Sequence, residues 1–425
     1  MKTTGNSLPA PNMGNEYKAN LSGRHKWGIF WRGVFQVSTV IGIIVLTLLL
    51  LNILNSTLGY AAIENKIDPE DLAINGIPIE QLHPVDLTFI LEENLSPNVF
   101  RRLDTERPFA ERSRNDIYNL VIKRVVEPQV ITTWQLYTSI FDRSQIEADL
   151  GELAEDHPNV QLKFISWLNG RFVTTPQAPD AELAGVRTAI LGSLWVIFIT
   201  IIFAFPIGVG AAIYLEEYAN TATRINQIIQ TNINNLAGVP SIIYGILGLA
   251  IFVRALEPFT SGALFGAGED GNTLNGRTII SAGLTLGLLI LPVIIISAQE
   301  AIRAVPQTLR QAAFGLGATR WQSVWHHVLP SALPGILTGS ILAISRAIGE
   351  TAPLVVVGAS TFITFDPDGP FSKFTTLPIQ IYQWTSRPQA EFHNIAAAAI
   401  IALMILLLSL NTAAIILRNR YTRRL

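Results

Sequence analysis

Cysteine is missing from all 425 residues, so no disulfide can staple an extramembrane segment and thiolate metal sites are excluded. Charge is scarce as well: Asp, Glu, Lys and Arg make up 15% of the chain, where soluble domains carry about 25%. No Gly-x4-Gly-Lys-Ser/Thr loop occurs, so the chain is not expected to bind a nucleotide or hydrolyse one. No catalytic or metal-ligating constellation stands out. A catalytic residue, a metal, a cofactor and a nucleic-acid partner are therefore all unexpected.

What the chain has instead is long apolar runs. Residues 33–54, 188–215, 236–253, 278–299 and 394–417 contain no charge. About 20 apolar residues cross the hydrocarbon as a helix, so these five runs qualify as spans. A sixth, 333–363, is apolar but holds Arg346, Glu350 and Pro353. The expected fold class is mainly α, a polytopic membrane protein with six transmembrane helices. The first run begins too late, and is too long, to read as a cleaved signal peptide.

Charge asymmetry sets the expected orientation. Residues 1–32 carry Lys2, Lys18, Arg24, Lys26 and Arg32 against Glu16, and the tail after Leu417 carries four arginines and no acid. Basic flanks stay in the cytoplasm, which puts both termini inside and agrees with an even number of spans. Residues 55–188 hold 12 basic and 21 acidic side chains and fall outside. Glu216 and Glu217 conflict with this rule, because they close the second span on the inner side with only Arg224 nearby.

The expected layout is a cytoplasmic tail at 1–32, a first span at 33–54, an extracytoplasmic insert at 55–187, a five-helix core at 188–417 and a tail at 418–425. Residues 1–20, rich in Asn, Gly and Pro, are expected to stay unfolded. The insert reads as mixed α/β, with helical spacing at 116–126 and 144–155. Residues 161–167 and 171–175 read as strands of a hairpin turned at Asn169-Gly170.

Between the fourth and fifth spans lies a polar stretch, 300–332. Pro306 suits a helix first turn, Gly317 can end that helix in the left-handed conformation, Thr319 can cap a second helix, and Pro330 is expected to stop it. Its sequence resembles the coupling loop of ATP-driven importer permeases, Glu-Ala-Ala-x3-Gly-x9-Ile-x-Leu-Pro. Here Ala312-Ala313, Gly317, Leu329 and Pro330 match, while Gln311 stands for Glu and His327 for Ile. Arg310, Gln311, Ala312, Ala313, Gly317, Leu329 and Pro330 are the expected contacts with a separate ATPase.

Arg346 and Glu350, four residues apart, share a helix face. Counted from Leu333 at 1.5 Å per residue, Arg346 falls about 20 Å along the fifth span, past the midplane. A charge at the bilayer centre costs at least about 2.5–3.5 kcal/mol, so the pair needs a polar surrounding and a purpose. A guanidinium fork suits an oxyanion, with Glu350 as its resting counter-charge. A structural lock between helices is the competing explanation. Pro353 and Gly349 should bend the span here. Pro240 and Ser241 could line the same path, through the carbonyl that the proline frees.

Four stretches carry a closer resemblance. They are Gly208-Val-Gly-Ala-Ala-Ile-Tyr-Leu215-Glu-Glu-Tyr-Ala219, Asn235-Leu-Ala-Gly-Val-Pro240-Ser-Ile-Ile-Tyr-Gly245, Ser345-Arg-Ala-Ile-Gly-Glu350-Thr-Ala-Pro-Leu354 and Leu377-Pro-Ile-Gln-Ile-Tyr382. Together they resemble the PstA-type phosphate permease family over roughly residues 165–425. The resemblance implies a type I ABC importer core in the bacterial inner membrane. It implies a PstC-type partner permease, two copies of an ABC ATPase, a periplasmic phosphate-binding protein, and inorganic phosphate as cargo. The expected rivals are another oxyanion, such as molybdate, sulfate or a phosphonate, and a membrane phosphate sensor that uses the insert.

Overall fold

A computed structural model describes residues 21–157, 159–220, 223–266 and 276–422. The tail expected to be unfolded, 1–20, lies outside the described residues, as do Arg423 and Arg424. The chain divides into two units, 1–52 and 53–425. The first holds most of the helix Leu21–Thr57, which carries no charge from residue 33 onward. Near its start Trp27, Phe30, Trp31 and Phe35 pack ring on ring beside Arg24, Lys26 and Arg32. An aromatic and basic collar of this kind suits a membrane–water interface.

In the second unit a strand follows that helix with no linker. β1 (Leu58–Glu64) lies between β2 (Gln129–Gln135) and β3 (Val160–Ser166), antiparallel to both. Glu64 faces Gln129 on one side and Val160 on the other. A helical lobe, residues 65–128, fills the connection from β1 to β2. Its own core holds Ile79, Leu87, Leu91, Ile117 and Val121. The helical spacing read over 116–126 and 144–155 falls on Arg114–Val121 with its π-turn Ile122–Val126, and on Arg143–Asp156.

The hairpin expected at Asn169-Gly170 is not formed. β3 is present, but Gly170–Thr174 is a short helix. The Asn169 side chain accepts from the Phe172 amide at 2.8 Å, so this Asn-Gly pair caps a helix instead of turning a strand.

Among the described residues, five helices are long and apolar enough to cross a membrane: Gly23–Thr57, Arg187–Tyr218, Ile279–Arg303, Arg320–Ile348 and Ala390–Arg420. A bent pair, Arg224–Leu236 and Ser241–Ala255, meets the same measure of length and hydropathy only when its two arms are taken together; they join at 108°, and the number of crossings is six where the pair is one broken span. The run 236–253 is thus not one straight span: Leu236 ends the first, amphipathic arm, and the crossing starts at Ser241.

Small residues set the helix contacts. Gly283 lies on Ile199 and Gly208 on Ile294, so Arg187–Ile213 and Ile279–Arg303 run side by side in one direction. Gly335 on Ala301 and Gly339 on Ser297 make Leu329–Ile348 antiparallel to them. Such close backbone approach is how helices associate where lipid removes the hydrophobic drive. The insert is fused to this core. Trp167, Phe172 and Val186 share one buried cluster with Trp384, Ile395 and Ala398. The buried Gln177 side chain donates to the Thr361 carbonyl and to Gln383, and accepts from the Ile363 amide.

Candidate functional site

The Leu329–Ile348 helix ends at Gly349, and a short helix, Ala352–Val357, resumes beyond Glu350 and Thr351. Gly358, at φ 107°, closes that helix in a conformation that suits glycine. Arg346 and Glu350 sit at the break, with Arg346 Nε 3.4 Å from Glu350 Oε1. Counted on from the Gly335 and Gly339 contacts, Arg346 comes level with about Ile290, half-way along Ile279–Arg303. It is therefore level with the middle of that neighbouring helix.

The two charges differ in exposure: the Arg346 side chain is 53% open and Glu350 only 17%. One turn of the bent pair lies alongside. Gly245 packs on Pro353, and the buried Tyr244 is close enough to feel the Arg346 charge. Pro240 forms the corner, exposed, and Ser241, half-buried, opens the crossing helix one turn from Tyr244. In a continuous helix the residue at 240 would donate to the Leu236 carbonyl. Proline cannot, and the Tyr244 hydroxyl donates there instead, at 2.8 Å. The freed carbonyl is satisfied by the protein and is not left for a ligand. Ser345 donates to Asn411 at 2.6 Å, which ties the charged turn to the last helix. Tyr244 and Asn411 were missed in the sequence. A lone polar side chain inside an apolar run was the available signal.

At the opposite end from the insert, the polar stretch forms two short helices. Gln307–Gly315 ends at Leu316, and Gly317 follows at φ 81°. Thr319 and Gln322 make a reciprocal capping box for the second helix, Arg320–Ser323. Pro330 does not stop this helix. A π-turn, Val324–Val328, widens the ladder just before Leu329-Pro330, and the Ser331 hydroxyl donates to the His327 carbonyl at 2.7 Å. The wider turn absorbs the missing donor and the ring, so the helix passes unbroken into the membrane.

The residues singled out in this loop face two ways. Gln311, Ala312 and Gly317 are exposed, Leu329 and Pro330 are half-buried, and Arg310 and Ala313 are buried. Arg310 donates through Nε and Nη2 to Glu217 Oε1, at 3.0 and 2.6 Å, and to the carbonyls of Ile302 and Val305. Arg303 binds Glu216 at 2.7 Å. The two acids that broke the charge rule are thus paired within the chain, across about 90 residues of sequence. The outer face of the loop carries Phe314, Leu316, Trp321 and Trp325, all exposed, with the two indoles stacked at 5.3 Å. The tryptophans went unread, although their i, i+4 spacing on a helix was the signal.

A family model described as "binding-protein-dependent transport system inner membrane component" matches residues 204–425, which takes in the bent pair, the charged break and the polar stretch 300–332. The chain belongs to this family. Its similar proteins include a probable ABC transporter permease protein YqgI of Bacillus subtilis, 34% identical over 52% of this chain and 68% of the relative. A phosphate transport system permease protein PstA of Mycobacterium leprae is 36% identical over 58% of this chain and 74% of its own. The Haemophilus influenzae PstA is 32% identical over 57% and 78%. The chain is a multi-pass membrane permease subunit of an importer, with a fused α/β insert that precedes the matched region.

Proposed function

We propose that this chain forms half of the pathway of an ATP-driven importer of inorganic phosphate in a bacterial inner membrane. Both termini are cytoplasmic, and the insert lies outside. A PstC-type permease supplies the other half, one of two ABC ATPase copies seats on the Gln307–Val328 element, and a periplasmic phosphate-binding protein delivers the cargo. The observation that carries this reading is a half-open guanidinium in the middle of an apolar helix bundle. At that depth a cation does not face hydrocarbon; it faces water, a ligand or another polar chain. Glu350, better buried, balances it at rest, and an arriving oxyanion competes for its donors. The relatives named as phosphate permeases support phosphate over other oxyanions.

Transport runs by alternating access. Closure of the ATPase pair moves the exposed Phe314, Leu316, Trp321 and Trp325 face. The continuous Arg320–Ile348 helix carries that movement to Arg346, about 39 Å away at its rise per residue. Reconstitution with the three partner proteins tests this. ATP-dependent uptake of labelled phosphate is expected, with excess molybdate, sulfate or phosphonate competing poorly. Arg346→Gln should lower uptake about tenfold or more, with Arg346→Lys between the two, since a single ammonium replaces a fork. Uptake unaffected by Arg346→Gln, or better competition by another oxyanion, would overturn the assignment.

A further inference from the structure

The insert carries an apolar patch that the transport reading does not use. The short helix Leu136–Phe141 buries Ser139 and leaves Tyr137, Ile140 and Phe141 exposed at 61%, 61% and 70%. Their i, i+3, i+4 spacing puts them on one face. Two anchors fix the height of this face. On one side, the Asn55 side chain donates to Gln135 at 2.7 Å and accepts from the Tyr137 amide at 2.6 Å. Asn55 directly follows the apolar run 33–54, and the Trp167 amide binds the Thr57 carbonyl at 3.1 Å. On the other side, Asn394 donates to Thr133 at 3.0 Å, and the charge-free run 394–417 starts there. The Ser139 hydroxyl also accepts from the Tyr60 amide, which locks the helix to the sheet.

From this geometry we infer that Tyr137, Ile140 and Phe141 dip into the bilayer surface on the insert side and hold the insert against the lipid. Both anchors, Asn55 and Asn394, stand at the insert end of a charge-free run, which sets the patch at that level. Its make-up, two aromatics and an aliphatic with Asp142 and Arg143 directly after, matches an interfacial segment with a polar edge. Tyr137 and Phe141 lie 5.0 Å apart, so the two rings enter as one unit. Phe164, 51% exposed and edge-on to Tyr60 at 5.3 Å, extends the apolar surface across the sheet. Nothing in this inference depends on the cargo.

The absence of native cysteine makes the test direct. Single cysteines replacing Tyr137, Ile140 or Phe141 are spin-labelled in the full complex, in nanodiscs of phosphatidylethanolamine and phosphatidylglycerol. Val85→Cys, at an exposed aliphatic position of the helical lobe, is the aqueous control. Labels at 140 and 141 should collide more with oxygen than with a water-soluble nickel chelate, and the control should show the reverse. Labels that behave like the control would overturn the inference. So would labels shielded from both reagents, which would mean that a protein covers the patch. Because all three side chains are already exposed, a folding defect in every variant is not expected, and an unchanged elution volume confirms the fold.

Discussion

At the scale of single residues, burial without full compensation is the informative pattern. Glu182 lies just before the second span, where it accepts from the Val130 amide at 3.1 Å. Burial pushes its carboxyl above the usual range, and the backbone hydrogen bonds only partly offset that. A raised pKa in the folded state favours the protonated form. Its contribution to stability is therefore complete below the ordinary glutamate range and fades as pH rises through the raised value. Thermal midpoints of the purified protein should fall over that window. Glu182→Gln keeps the carbonyl acceptor for Val130 and removes the titration, so its midpoints should be higher at neutral pH and flatter with pH. A wild-type profile no steeper than that of the variant would remove Glu182 from the account. Arg171, half-buried, has its pKa lowered by desolvation, but arginine stays charged throughout this range.

Between elements, the decisive contacts join parts that the sequence keeps far apart. Arg310 belongs to the helix Gln307–Gly315, Glu217 to the π-turn that closes the second span, and both side chains are 10% exposed. The guanidinium also donates to the Ile302 carbonyl in the last turn of Ile279–Arg303 and to the Val305 carbonyl just beyond it, so one side chain ties three elements together. Removing one partner of such a pair leaves a buried charge, at about 3–5 kcal/mol. Arg310→Ala should therefore lower the thermal midpoint and weaken stimulation of the ATPase by loaded binding protein. The exchanged pair, Arg310→Glu with Glu217→Arg, should not restore it, because glutamate cannot donate to the Ile302 and Val305 carbonyls. Full recovery in the exchanged pair would show that charge alone mattered. This brace was illegible in advance: Arg310 and Glu217 are separated by about 90 residues and no local pattern links them. The long spans were legible because hydropathy is a local property. The loop's caps, Gly317 and Thr319, were legible for the same reason. The corner at Pro240 was half-legible. The proline was seen, but Arg224–Leu236 is amphipathic and does not read as membrane until its 108° turn is known. β1 was missed because it leaves an apolar helix with no break in composition. Asn169-Gly170 was misread because the same dipeptide turns a strand or caps a helix, and the choice lies in the packing of Phe172.

For the whole molecule, the question is which part of the insert transport requires, and the sheet register supplies a clean cut. A deletion of 60–160 would remove most of β1 and all of β2, and with them the contacts that seat the insert on the membrane helices. The helical lobe is separable. Glu64 and Gln129 are already opposite each other in adjacent antiparallel strands, and the lobe core between them holds its own buried residues. Two residues of Asn-Gly can bridge such ends in a tight hairpin turn. Replacing 65–128 by Asn-Gly should therefore leave the sheet, the Leu136–Phe141 patch and the Gln177 anchor intact. Loops whose ends meet in a sheet tolerate this exchange. If the insert is a rigid rim and the pathway lies in the family core, the shortened chain should take up phosphate within about twofold of the full chain. If the lobe receives a signal, uptake would persist while a phosphate-dependent response of the cell was lost, and the sensing alternative would gain. Loss of uptake in a well-folded shortened protein would instead put residues 65–128 in the route of the cargo, for example as the landing surface for the binding protein. The pathway would then extend beyond residues 204–425, the part of the chain that it shares with its family.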